Sequence, residues 1–166
     1  MNIDEDDTKL FRLLEPGEFG IYTQSDELPV SDCPVYLMEG VGGICLSGTA
    51  TGQVFSHRFR IVRGMVLALF PWQLISIKEV SDDFGIRFFR ISHDMFTDTL
   101  SSLWRPRPGF FFYMRTHVAS EPREEYVGRF LNFCDLLAYR AENAPAICCR
   151  ESVMQLLRVF YWDIYA

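Results

Sequence analysis

The sequence predicts an α+β domain, mainly β, in which a small antiparallel barrel or jelly roll precedes a short helix and an antiparallel pair of longer helices. Short apolar runs rich in Val, Ile, Phe and Tyr recur about every ten residues between positions 20 and 91, separated by Gly, Pro, Asp and Ser. From position 92 onward, the apolar spacing changes from two residues to three and four. The connections between most strands are too short to hold helices, which disfavours a parallel sheet.

Length and composition favour one well-packed domain. A chain of 166 residues can bury about two thirds of its unfolded surface. Aromatic residues make up 15% of the chain and apolar residues 49%, so the core is expected to be well filled. We therefore treat residues 1–166 as a single domain, with the barrel at about 20–91 and a helical dimerisation part at about 92–166.

Seven strands are expected in the first part. They lie near residues 21–24, 34–39, 43–47, 53–61, 65–70, 74–80 and 84–91. The glycine-rich stretch at 40–43 has no following helix that would make it a phosphate-binding loop, so we expect a hairpin turn there. Gly64, at the end of Val-Arg-Gly, is expected to supply the positive φ of a tight turn.

The strand at 53–61 contains the most informative polar residue. Alternation places Phe55, His57, Phe59 and Ile61 on one face, which we expect to point inward. His57 is then a polar group on an apolar concave surface, which is typical of small-molecule sites. The alternative is a core histidine that bonds to a backbone carbonyl.

Two further residues extend this candidate site. Trp72 follows Phe70 at a strand corner and is placed either to stack on a ligand or to cover the barrel mouth. Arg87 either pairs with an anionic ligand or forms a surface ion pair with Glu79 or Asp83. The candidate ligand-binding residues are Phe55, His57, Phe59, Phe70, Trp72 and Arg87.

The second part contains three predicted helices. Ser92 is a plausible N-cap for a short first helix, and an aromatic loop at 109–117 follows it. Apolar residues recur at helical spacing over 122–142 and again from about 145 to 165. Asn143 and Pro145 end the first of these long helices, and the short link makes the two helices antiparallel.

Both long helices carry wide apolar stripes, which need to be covered. We expect a homodimer through these helices, with Phe130, Leu137, Phe160 and Tyr161 at or near the interface. The alternative is a monomer in which the helix pair closes one open end of the barrel.

The residues offer little for catalysis. His57, His93 and His117 are isolated, whereas an open catalytic metal site generally needs three protein ligands. The sequence has no Gly-x-Ser-x-Gly motif, and its five cysteines include no Cys-x-x-Cys pair. We therefore expect no metal, no other cofactor and no catalytic residues, and five reduced, mostly structural cysteines.

Charge and hydropathy restrict the partners. The formal net charge is -6, and the scattered arginines indicate no basic face, so we expect this chain alone not to bind DNA. No apolar stretch approaches the about 20 residues that cross a bilayer, and the acidic N-terminus does not look like a signal peptide. These features favour a cytoplasmic protein.

The stretch FRIVRGMVLALFPWQLISIKEVSDDFGIRFFRISHDMF, residues 59–96, is similar to the N-terminal sensor domain of AraC-family bacterial transcription regulators. The likeness lies in a strand, a turn at Gly64, an apolar strand ending at Phe70 and Pro71, and a Ser-Asp-Phe step into a strand and a helix. It implies a cupin-like barrel, an effector in some members, dimerisation through the helices, and two helix-turn-helix units after this domain.

The last residues, LLRVFYWDIYA, contain no helix-ending glycine and no basic residue after Arg158. The resemblance implies that a linker to the DNA-binding units follows here, and that those units are missing from this chain. We therefore expect an effector-sensing and dimerisation domain that reaches DNA only through the missing part. The alternatives are a stand-alone, non-catalytic cupin that binds a small molecule and, less favoured, a cupin enzyme.

Overall fold

A computed structural model describes residues 12–101 and 108–165. Within these residues, eight strands form two four-stranded antiparallel sheets, which confirms the predicted α+β class. The first sheet, sheet A, has the order β1 (Phe19–Tyr22), β8 (Gly85–Ile91), β3 (Gly40–Ser47), β6 (Val66–Leu69). The second, sheet B, has the order β2 (Val35–Tyr36), β7 (Leu74–Lys78), β4 (Ala50–Val54), β5 (His57–Ile61).

Four α-helices follow the strands. They are α1 (His93–Ser101), α2 (Pro108–Thr116), α3 (Glu124–Asn143) and α4 (Ala146–Tyr165). Ser92 caps α1 as predicted, since its Oγ accepts a hydrogen bond from the Met95 N–H at 3.1 Å. The predicted aromatic loop at 109–117 is wrong, because most of it forms α2. Pro108 opens that helix at the position where a missing N–H costs no intrahelical bond.

The core has two layers that share sheet A. Alternation along β8 sends Phe88 into the space between the two sheets and Phe89 to the opposite face, where α3 and α4 pack. Phe88 therefore belongs to the barrel interior with residues such as Ile75. Phe89 belongs to the helix layer with residues such as Leu157.

The predicted strand at 53–61 is in fact a hairpin of two strands. β4 ends at Val54, β5 begins at His57, and Phe55 takes a left-handed conformation with φ 52° in the two-residue turn. The run contains no glycine, asparagine or proline that would mark this turn. Ile61 is buried and Phe59 is half-buried as expected, but His57 is exposed at the end of the strand.

The glycines at 40–43 do not form the predicted turn, because they lie within β3. They are needed for packing: a Cβ on Gly42 would lie 2.3 Å from Cζ of Phe89 and 2.9 Å from Cε1 of Phe160. The aromatic rings of the helix layer therefore rest directly on this strand.

Gly64 confirms its predicted role, with φ 85° in the turn between β5 and β6. Its N–H donates to the Cys45 carbonyl at 2.9 Å, and its carbonyl accepts from the Arg123 N–H at 3.1 Å. This turn thus fixes where α3 begins. In the part of the chain that the structure describes, no helix combines the length and apolarity needed to cross a membrane.

Candidate functional site

The candidate site is a cleft between the barrel and the two long helices. It has a volume of about 690 Å³ and is bounded by β6, by residues 117–123, by the N-terminal half of α3 and by the C-terminal end of α4. That volume lies within the range of small-molecule sites. We call residues 117–123 the strap.

The strap forms one wall because it adds to the free edge of sheet A. The Ala68 N–H donates to the Val118 carbonyl at 2.9 Å, and the Ser120 N–H donates to the Val66 carbonyl at 2.9 Å. The Ser120 side chain also accepts from the Val66 N–H at 2.9 Å. These bonds cover the edge of β6 and hold the strap against the barrel.

Aromatic side chains dominate the inner wall. The Phe133 and Phe160 rings stack with centroids 5.8 Å apart, and Phe130 meets Phe160 edge-on at 5.9 Å. The Tyr113 and His117 rings, which also line the cleft, stack with centroids 4.0 Å apart. Such a wall suits an apolar or aromatic ligand body.

The charged groups of the cleft lie toward its mouth. Arg123 and Arg129 each have more than half of their side chains exposed and approach Glu125 at 3.6 and 4.0 Å. Glu121 and Asp163 supply negative charge at the same cleft. The cleft is therefore apolar inside and zwitterionic at its entrance.

None of the six ligand-binding candidates from the sequence lines this cleft. Phe55 lies at the hairpin tip, with the Arg115 guanidinium 5.3 Å from its ring centroid. His57 stacks on Phe59 at 6.2 Å and is open to solvent. The predicted inward position of Phe55 and His57 is wrong, because the unexpected turn places both at the end of the barrel.

The other three candidates, Phe70, Trp72 and Arg87, lie in different surroundings. Phe70 is buried, meeting Phe96 at 4.9 Å and Tyr161 at 5.7 Å. Trp72 is 57% exposed and contacts His93 at 5.4 Å. The structure thus does not bring the six residues together in one cavity, and their roles in ligand binding stay predictions.

Arg87 faces the helix layer. Its guanidinium lies 3.9 Å from a carboxylate oxygen of Asp135 on α3, whereas the sequence suggested Glu79 or Asp83 as ion-pair partners. Its Nε is buried without a hydrogen-bond partner. Arg87 therefore lies between sheet A and α3 and not at a barrel opening.

The four predicted dimer residues are also placed differently. Phe130, Leu137, Phe160 and Tyr161 are all at most 6% exposed, and they pack against sheet A and the other helix within one chain. Their apolar surface is covered within the chain, and their place at or near a dimer interface stays a prediction. The long helices instead expose other large apolar residues, including Leu136 and Tyr139 on α3.

Metal-ligating side chains do not gather into a cluster in the described part of the chain. The described residues contain no group of three or more His, Cys, Asp or Glu side chains that would hold a metal ion. Burial raises the pKa of the Cys45 thiol and raises that of Cys134 to about 11. Both thiols stay protonated near neutral pH, which makes them poor nucleophiles.

The sequence analysis did not predict the cleft, although one residue of α3 pointed to it. Phe133 lies off the main apolar stripe of α3, and such an additional aromatic residue indicates a second surface to cover. The strap carried no comparable pattern. Its pairing with β6 depends on residues about fifty positions apart in the chain.

No protein-family model matches this chain, and no curated protein sequence matches it significantly. Solved structures do. Apo ToxT K231A from Vibrio cholerae superimposes with a TM-score of 0.55 at 11% identity, covering 89% of this chain and 55% of that chain. The AraC-like transcriptional activator CuxR gives 0.48 at 11% identity, covering 90% and 53%.

The cupin domain of Cnp3 from Schizosaccharomyces pombe gives a TM-score of 0.37 at 15% identity, covering 58% of this chain and 74% of that domain. The chain spans about half the length of ToxT and CuxR. At these identities the likeness concerns the fold. The predicted similarity to the sensor domains of AraC-like regulators is confirmed at that level.

Proposed function

We propose that this chain is the effector-sensing and dimerisation part of a transcription regulator. The observation that supports this most directly is the cleft, because it is bounded by the barrel and by both long helices. The fold shared with ToxT is consistent with this function. Such a regulator acts in the bacterial cytoplasm and contacts DNA through units outside this chain.

The position of the cleft links ligand binding to helix packing. A molecule inside it contacts β6 and the strap on one side and α3 and α4 on the other. If the helix pair shifts relative to sheet A, those contacts change. Binding therefore favours one arrangement of the helices over another, which is the differential affinity that a sensor needs.

The chemistry of the cleft defines the ligand class. The aromatic inner wall favours an apolar body, and the charged groups of both signs at the mouth favour a polar head group. We therefore propose an amphipathic organic molecule as the effector. No catalytic role is proposed.

Ligand binding predicts a specific pattern of thermal shifts. We expect at least one compound from a panel of aromatic and aliphatic carboxylic acids, with their alcohols, to raise the melting temperature of the chain. At about a hundred times its Kd, a ligand adds about 2.7 kcal/mol to the free energy of unfolding. Val159 lines the cleft and is about half exposed, so Val159→Trp is expected to fill part of the cleft and remove this shift in melting temperature.

The matched control is Val80→Trp, because Val80 is similarly exposed but lies between β7 and β8, away from the cleft. The control is expected to keep the full shift. If a compound stabilises both variants equally, it binds elsewhere, and if no compound of the panel stabilises the native chain, the sensing proposal fails.

We propose that dimerisation uses the exposed face of α3. Leu136 and Tyr139 are 45% and 60% exposed and are three residues apart, so they share one helix face. Leu136→Arg combined with Tyr139→Glu is expected to convert a dimer to a monomer, measured by sedimentation equilibrium. Val80→Arg, which puts a charge on an equally exposed apolar position elsewhere, is expected to leave the dimer intact.

A monomeric mass for the native chain at high micromolar concentration would contradict this assignment. Loss of the dimer in the Val80→Arg control would contradict it as well, because the effect would then not be specific to α3.

A further inference from the structure

The outer edge of sheet B is free. β5 is the last strand in the order β2-β7-β4-β5, and no described residue pairs with its outer side. Val54 and His57 close a two-residue turn and form a hydrogen-bonded pair. Hydrogen-bonded and non-hydrogen-bonded pairs alternate from there, so Arg58 and Arg60 are in non-hydrogen-bonded pairs with β4. The backbone N–H and C=O groups of Arg58 and Arg60 therefore point away from β4, toward solvent.

The same strand presents a cluster of positive charge. The register aligns Arg60, Thr51 and Lys78 across three strands, and Arg58 lies one row further along on the same outward face. Arg58, Arg60 and Lys78 are exposed. Arg58 and Arg60 are two residues apart in the sequence, and the sheet register brings Lys78 of β7 into the same row as Arg60.

These cations are not neutralised within the described part of the chain. Arg58 donates from Nε to the Gln53 side-chain oxygen at 3.3 Å, and no carboxylate oxygen of the described residues lies within 4.0 Å of any of the three cations. Glu79 is an acidic neighbour on this face, and it accepts a hydrogen bond from the Thr51 hydroxyl at 2.9 Å. The edge thus keeps a local positive charge on a chain whose net charge is -6.

We infer that β5 binds an acidic, extended segment of a partner protein as an added strand. The main chain of that segment bonds to the free backbone groups of Arg58 and Arg60. Acidic side chains at alternate positions of the segment lie on the same face as the two guanidinium groups and pair with them. The intervening side chains lie on the side of half-buried Phe59 and are apolar.

Charge complementarity selects this occupant over two others. Antiparallel self-pairing of β5 from two copies would place Arg58 and Arg60 of one copy opposite the same residues of the other, which is unfavourable. A DNA duplex would contact the cations but would leave the backbone edge unused. An acidic extended peptide satisfies both features.

The test uses the full chain and a fluorescently labelled peptide of alternating Glu and Val residues. We expect saturable binding by fluorescence polarisation, weakened at least about tenfold, or about 1.4 kcal/mol, in the double variant Arg58→Ser, Arg60→Ser. The control variant Arg140→Ser removes an exposed arginine of α3 that does not line the cleft, and it is expected to bind like the native chain.

Two measurements separate strand addition from general charge attraction. N-methylation of alternate peptide amides, which removes N–H donors without changing charge, is expected to abolish binding. Hydrogen exchange of the Arg58 and Arg60 amides is expected to slow when the unmethylated peptide is bound.

Absence of peptide binding up to millimolar concentration would overturn the proposal. So would binding that survives N-methylation, equal weakening in the Arg140→Ser control, or preferential binding of a short DNA duplex to the same arginines.

Discussion

Phe160→Ala is expected to lower the free energy of unfolding by about 3–5 kcal/mol. The Phe160 ring is 6% exposed and lies at the centre of the helix layer, where it meets Phe89 at 5.1 Å and Tyr161 at 5.3 Å. Gly42 allows it to rest on β3. Truncation leaves a cavity that these rigid neighbours cannot close.

The measurement is urea unfolding of the purified chain, followed by circular dichroism. Val159→Ala is the matched control, because Val159 is the preceding residue but is half-exposed, and its truncation is expected to cost within about 0.5 kcal/mol. A loss below about 1 kcal/mol for Phe160→Ala would contradict the packing described above.

The same variant distinguishes the observed position of Phe160 from a dimer seam. Within a single chain, its truncation lowers stability by an amount that does not depend on protein concentration. At a seam, the loss would grow as the protein is diluted, because dimer stability depends on the concentration of the protomer. Repeating the urea titration over a hundredfold range of concentration separates the two.

Arg150→Met is expected to cost about 3 kcal/mol, because it leaves a buried carboxylate without its main cation. Arg150 and Glu18 are each 5% exposed, and the Arg150 Nε lies 3.2 Å from both carboxylate oxygens of Glu18. Another nitrogen of Arg150 donates to Asp98 on α1 at 2.7 Å. Arg12 also approaches Glu18 at 3.1 Å, so the loss falls at the lower end of the range for broken buried pairs.

A double-mutant cycle checks this prediction. Glu18→Gln removes the charge that Arg150→Met leaves unpaired, so the double variant is expected to be more stable than the sum of the two single losses implies. Arg140→Met, on the exposed face of α3, is the control and is expected to change stability within about 0.5 kcal/mol. Strict additivity of the two single losses would contradict the pairing.

This ion-pair network also connects α4 to distant parts of the chain. Glu18 precedes β1, Asp98 lies on α1, and Arg150 lies in the first turns of α4. One buried guanidinium on α4 therefore connects this helix to α1 and to the segment before β1. The sequence did not mark Arg150 as special, since its two partners are 132 and 52 residues away along the chain.

The sequence predicted best those features that depend on interactions between neighbouring residues. The Ser92 cap, the left-handed Gly64 and the ends of the helix pair each depend on a few neighbouring residues. The turn at Phe55 was missed because it uses a large residue in a conformation that usually favours glycine or asparagine. The glycines of β3 were misread because their reason is the approach of distant rings.

By itself, the sequence determined the α+β class, most strand and helix positions, and the apolar stripes of α3 and α4. Only the tertiary structure decided what covers those stripes: sheet A of the same chain buries Phe130, Leu137, Phe160 and Tyr161. The tertiary structure also creates the cleft beside the strap and the cationic edge of β5. Periodicity fixes which face of an element is apolar, but the group that meets that face depends on contacts between residues far apart in the chain.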